Sequence, residues 1–111
     1  MSLPEPDNPE IVNQLEQLGA KLRKRKSGRL HTVDFSECNS QVTKEHLDSI
    51  HQLHKLEVLD LSGTQLTDAA ILKLGEIGSL KLLTLNETPV SQETLSTLRK
   101  KMIGCRIIYL G

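Results

Sequence analysis

The sequence predicts an α/β fold, a right-handed β/α solenoid in which short strands and short helices alternate. Three observations carry that expectation. Leu56-Glu-Val-Leu59-Asp-Leu61-Ser-Gly-Thr64-Gln-Leu66-Thr67 returns 24 residues later as Leu80-Lys-Leu-Leu83-Thr-Leu85-Asn-Glu-Thr88-Pro-Val90-Ser91. The intervening segments return as well: Leu47, Ile50 and Leu53 correspond to Ile71, Leu74 and Ile77, then to Leu95, Leu98 and Met102. Leucine supplies 20 of the 111 residues and is concentrated at these positions. Each unit therefore has two periods, an alternating strand pattern followed by a helical stripe of one apolar face. Neither half can bury its apolar face alone, so neighbouring units must stack.

Along the chain, residues 1–8 read as a disordered or tag-like start, 9–29 as an N-terminal cap and 30–111 as the stacked units. Asn8-Pro9-Glu10 combines a cap residue, a first-turn proline and an early acid, which predicts a helix from Pro9 to about Leu18. Ile11, Val12, Leu15 and Leu18 form its apolar stripe, and Gly19 supplies a stop. Lys21–Arg29 admits two readings. It can extend the helix, or it can form a strand around Lys21–Arg25 that turns at Ser27-Gly28 and runs antiparallel to Leu30–Phe35. The hairpin is preferred, because Ser-Gly marks a turn directly before the first repeating strand. Leu30-His-Thr-Val33-Asp-Phe35-Ser-Glu-Cys38 is a looser copy of the unit, with two extra residues in Asn39–Gln41 that predict an irregular turn. Cys105-Arg-Ile-Ile108-Tyr-Leu110 reads as a closing strand 25 residues after Leu80. Thr43, Thr67 and Ser91 stand where each helix begins, with hydroxyls able to accept first-turn amides.

On these residues the chain resembles the leucine-rich-repeat proteins, and Leu61-Ser-Gly-Thr-Gln-Leu-Thr-Asp-Ala-Ala-Ile71 is similar to the bacterial L-S-G-T-x-[LIV]-T-D-A-G-[LIV] variety. The resemblance spans roughly Ile11 to Ile108. It implies about three full repeats plus the closing strand, and it is specific for fold while nearly silent about function. The asparagine ladder of commoner repeats is absent; Cys38, Thr64 and Thr88 hold that inward position.

Composition narrows the function classes. Fourteen Lys and Arg balance fourteen Asp and Glu, which argues against a globally basic nucleic-acid binder. No apolar run exceeds four residues, far short of the ~20 that cross a bilayer. The first residues lack a signal-peptide pattern. Two cysteines cannot build a disulfide framework, so a reducing, cytoplasmic setting is expected. Phe35 and Tyr109 are the only aromatics, too few for a base-stacking platform.

Each candidate chemistry has a plainer explanation. Six of the nine residues Lys21–Arg29 are basic and could grip phosphate, yet long charges on an outer strand also discourage aggregation. His51 and His54 are three apart, but no ligand set completes a metal site, and none is expected. Cys105, placed at the first apolar position of its unit, and Cys38, placed inward, read as inert thiols. Asp34 and Asp60 occupy one outward position of adjacent strands and suit a plain solvated face or a partner-binding acidic spot better than catalysis. No catalytic residue and no cofactor are expected.

The expected function is a non-enzymatic protein-interaction module that binds a partner through its concave strand face. The residues proposed for that face are Asp34, Val58, Asp60, Leu82, Thr84, Ile107 and Tyr109. The alternatives are a homodimer joined through the closing strand's open edge, or weak anion or nucleic-acid binding through Lys21–Arg29.

Overall fold

A computed structural model describes residues 7–110. Among them the chain forms a mixed α/β arrangement: α1 (Pro9–Leu18), β1 (Lys21–Lys24), β2 (Leu30–Asp34), α2 (Lys44–Ile50), β3 (Val58–Asp60), α3 (Asp68–Leu72), β4 (Leu82–Thr84), α4 (Gln92–Lys101) and β5 (Arg106–Ile108). The strands form one open sheet in the order β1-β2-β3-β4-β5. β1 runs antiparallel to β2, and β2 through β5 are parallel.

α1 has the predicted limits. Asn8 accepts from the Glu10 amide at 2.9 Å, proline occupies the first turn, and Ile11, Val12 and Leu15 are buried. Gly19 ends the helix at φ 104°, a left-handed conformation that a side chain would disfavour. That break decides between the two readings of the basic run in favour of the hairpin. Its turn is closed by the Arg25 amide donating to the Arg29 carbonyl and Gly28 donating to Arg25. Of residues 1–8, expected as a disordered or tag-like start, 1–6 lie outside the described residues. Asp7 and Asn8 belong to the folded body instead. Asp7 is buried, and its carboxylate accepts the Leu30 amide at 2.5 Å.

The parallel register aligns Thr32, Val33 and Asp34 with Val58, Leu59 and Asp60, and these with Leu82, Leu83 and Thr84. The inward residues of the strands join the apolar helix positions in one core, with Val33, Phe35, Leu59, Leu61, Leu83 and Leu85 fully buried. Thr64 and Thr88 are buried with them and donate their hydroxyls to the carbonyls of Leu61 and Leu85, both at 2.8 Å. Cys38 is buried at the corresponding place. The extra residues at Asn39–Gln41 form a single 3-10 turn.

The helix starts are tied both locally and across units. Thr67 and Ser91 accept the amides of Ala70 and Thr94, each at 3.2 Å. At Thr43 the amide donates to His46 Nδ1 and the hydroxyl to Glu45. Asp68 reaches the neighbouring unit, accepting the Ser91 amide at 2.9 Å. Gly63 takes a positive φ after β3, and the equivalent turn after β4 places Glu87 at φ 58°, where a non-glycine residue is strained. No helix among the described residues is long and apolar enough to cross a membrane.

One strand departs from expectation. Arg106, Ile107 and Ile108 pair with Leu82, Leu83 and Thr84, one residue out of the expected alignment. The 24-residue spacing between β3 and β4 thus continues into β5, and Gly104 takes the slot that Leu56 and Leu80 fill. Ile107 and Tyr109 therefore turn toward the core and pack against it, so their assignment to the outer face is corrected. Arg106 and Ile108 stand on the outer face in their place. A shift of one residue exchanges the faces of a whole strand.

Candidate functional site

The outer sheet face is built by alternation, since residues next to inward leucines must point the other way. The register places Arg23, Thr32, Val58, Leu82 and Arg106 in one row across the strands. The next row holds Lys21, Asp34, Asp60, Thr84 and Ile108. Asp34, Val58, Asp60, Leu82 and Thr84 thus share this face as predicted, each half-buried. Val58, Leu82 and Ile108 stand apart from the apolar side chains that pack on the core.

The paired carboxylates have structural partners. Asp34 accepts the Ser36 amide at 2.8 Å, and Asp60 accepts the Ser62 amide at 2.9 Å. Each caps the turn that leaves its strand, while its remaining lone pairs are open to a partner. The face is also less acidic at its β1 side than the sequence suggests, because β1 sets Lys21 opposite Asp34 and Arg23 opposite Thr32. Lys21 pairs with Glu37 at 2.9 Å, and that hydrogen bond raises its pKa above the ordinary lysine value.

The hairpin divides the basic run between two places. Lys21 and Arg23 border the outer face, whereas Arg25 and Arg29 flank the turn at the N-terminal ends of the strands. There Glu57, just before β3, gathers Arg25, Lys81 at 3.0 Å and His31 at 3.7 Å. Arg25 also donates to the Lys55 carbonyl at 3.2 Å. Sequence reasoning missed this cluster, although His31, Glu57 and Lys81 hold the same second position of successive strand motifs. Comparing that column was the signal that could have found it.

Beside the cluster opens a cleft of about 930 Å³, lined by the hairpin turn, His54, Lys55, Glu57, Gly75, residues 77–81 and residues 101–105. A smaller one, of about 430 Å³, lies between α1 and α2. His51, considered with His54 as a metal pair, faces two carbonyl oxygens instead. Its Nδ1 lies 2.9 Å from Leu47 and its Nε2 2.8 Å from Lys73. No group of three or more His, Cys, Asp or Glu able to hold a metal occurs among the described residues.

Both cysteines are free. Burial pushes both thiols above their ordinary pKa, Asp34 adding to the effect at Cys38. Cys105 is not at the first apolar position of its unit, which Gly104 holds; it is half-buried and lines the large cleft. The two thiols should therefore label in sequence with a maleimide, Cys105 first and Cys38 only as the protein opens, both more slowly than a free thiol. Mass spectrometry of a timed reaction reads the order, and prior labelling of Cys38 would contradict its buried position.

Compared with protein-family models, curated proteins and solved structures, the chain matches none of them.

Proposed function

We propose that the chain is a leucine-rich-repeat protein, its β/α units stacked as a right-handed solenoid, and that it works as a non-enzymatic interaction module. The partner is a protein or peptide held on the outer sheet face. One observation carries this reading: Val58 and Leu82 stand side by side on this face, with Ile108 in the next row, apolar residues that the core does not use, beside the carboxylates of Asp34 and Asp60. Apolar anchors next to a polar margin are what binding hot spots are made of. The acidic pair favours a basic side chain on the partner. Two unpaired thiols fit a reducing compartment such as the cytoplasm.

The test selects peptides against the intact chain from a displayed library and compares variants. Leu82→Ser is expected to weaken the selected peptides by about tenfold or more, the equivalent of one hot-spot side chain. Asp60→Asn, which keeps the acceptor for Ser62, should weaken them less and make binding less sensitive to salt. Lys73→Ser, on the helical side, should leave binding unchanged. If Lys73→Ser weakens binding while both sheet changes leave it intact, the outer face is not the binding face.

A second reading has an observation of its own. Among the described residues β5 pairs only with β4, and Ile103 and Leu110 flank it with 89% and 81% of their surface exposed. An unpaired strand edge with apolar neighbours can join a second copy. A mass that stays monomeric as concentration rises would remove this reading.

A further inference from the structure

The large cleft has a chemistry that the outer face does not share. It lies where the strands begin, not on the sheet surface, and five side-chain cations line it: Arg25, Arg29, Lys55, Lys81 and Lys101. Glu57 is the one carboxylate among its lining residues, and Arg25 and Lys81 already neutralise it. The cleft therefore holds positive charge in excess of what the protein uses for itself.

Two further features distinguish it from a plain basic surface. The Nε groups of Arg25 and Arg29 are covered from solvent, yet neither has a hydrogen-bond partner among the described residues. A buried donor without an acceptor is unfavourable, and turning either guanidinium toward an oxyanion in the cleft would relieve it. The wall is also apolar in part: Ile77, Leu80 and Met102 are nearly buried, and Ile103 stands exposed at the rim. Gly104 holds the place that Leu56 and Leu80 fill in earlier units, and a Cβ built on it meets nothing within 4 Å. The missing side chain is open space beside the cations.

From these observations we infer that the cleft binds a small organic phosphate, its charged group between Arg25, Arg29 and Lys101 and its apolar portion against Ile77, Met102 and Ile103. Charge alone does not describe the site, because the apolar wall is continuous with the cations. Its volume lies within the range of small-molecule pockets, roughly 300–1,000 Å³. The inference is independent of the outer-face reading, since no outer-face residue named above lines the cleft.

The experiment titrates the full chain with 1-naphthyl phosphate at low ionic strength, following ligand fluorescence. Inorganic pyrophosphate serves as a charge-only probe and 2-naphthol as an apolar-only probe. Saturable binding of 1-naphthyl phosphate is expected, tighter than either probe and weakening as salt rises. The double substitution Arg29→Gln with Lys101→Gln should weaken it at least tenfold. Gly104→Leu, which fills the space without altering charge, should do the same. Lys44→Gln on α2 should change nothing. Circular dichroism and a melting curve establish that each variant is folded; if Gly104→Leu fails to fold, the double charge variant decides alone. Absence of saturable binding overturns the inference, as does binding that survives the double charge variant. Pyrophosphate bound as tightly as 1-naphthyl phosphate overturns the apolar half of the site.

Discussion

Leu83→Ala is expected to lower the unfolding free energy by about 2–5 kcal/mol, the range for emptying a leucine site in a rigid core. Leu83 is fully buried and sits between Leu59 and Ile107 in the register of the parallel strands. Neither neighbour can move into the space without breaking its own main-chain pairing, so the cavity cannot collapse cheaply. For a domain whose total stability is about 5–15 kcal/mol this is a large fraction. Urea denaturation should show the midpoint fall with the slope unchanged. Leu82→Ala supplies the contrast, because that side chain is on the outer face and should change stability by less than about 1 kcal/mol. Equal effects at the two positions would mean that the faces of β4 are wrongly assigned.

Asp7→Ala is expected to destabilise the fold by about 1–3 kcal/mol, the penalty for leaving a buried amide without its acceptor. The carboxylate stands in for a missing sheet partner. β1 pairs with β2 through a bulge between Arg23 and Lys24, and there the Leu30 amide turns to Asp7. Asp7→Asn retains an oxygen acceptor and should recover part of the loss, separating the hydrogen bond from mere packing. The thermal midpoint of the three proteins reads the series. If all three melt alike, the Asp7 carboxylate contributes nothing to the fold.

Much of the architecture was legible because the sequence states it more than once. Asn8, Pro9 and Gly19 delimit α1 through local chemistry that needs no tertiary contact. Leu59 and Leu83 sit in strands whose flanking residues also repeat, so the register of β2, β3 and β4 followed from matching whole units. At β5 the match failed for a physical reason. Cys105 resembles Leu80 in being apolar, whereas the spacing between strands places Gly104 there, and a glycine offers no hydrophobic signal. Ile107 and Tyr109 moved to the core side as a result. The outer-face residues of the three earlier strands were legible from alternation alone. The contact of Asp7 with Leu30, 23 residues on, carries no local pattern, and the Glu57 cluster shows only when the second positions of successive strand motifs are compared.

The five strands lie side by side in the order in which the chain makes them. No pairing has to wait for a distant segment, so the entropy lost in closing each loop stays small and nearly the same from one step to the next. Folding by such a route can nucleate at any adjacent pair and spread outward in both directions. Opening follows the same line in reverse. The first amides to exchange with heavy water should be those of β1 and β5, while β3, held on both sides, opens last. Stability in this chain is a gradient with its summit in the middle.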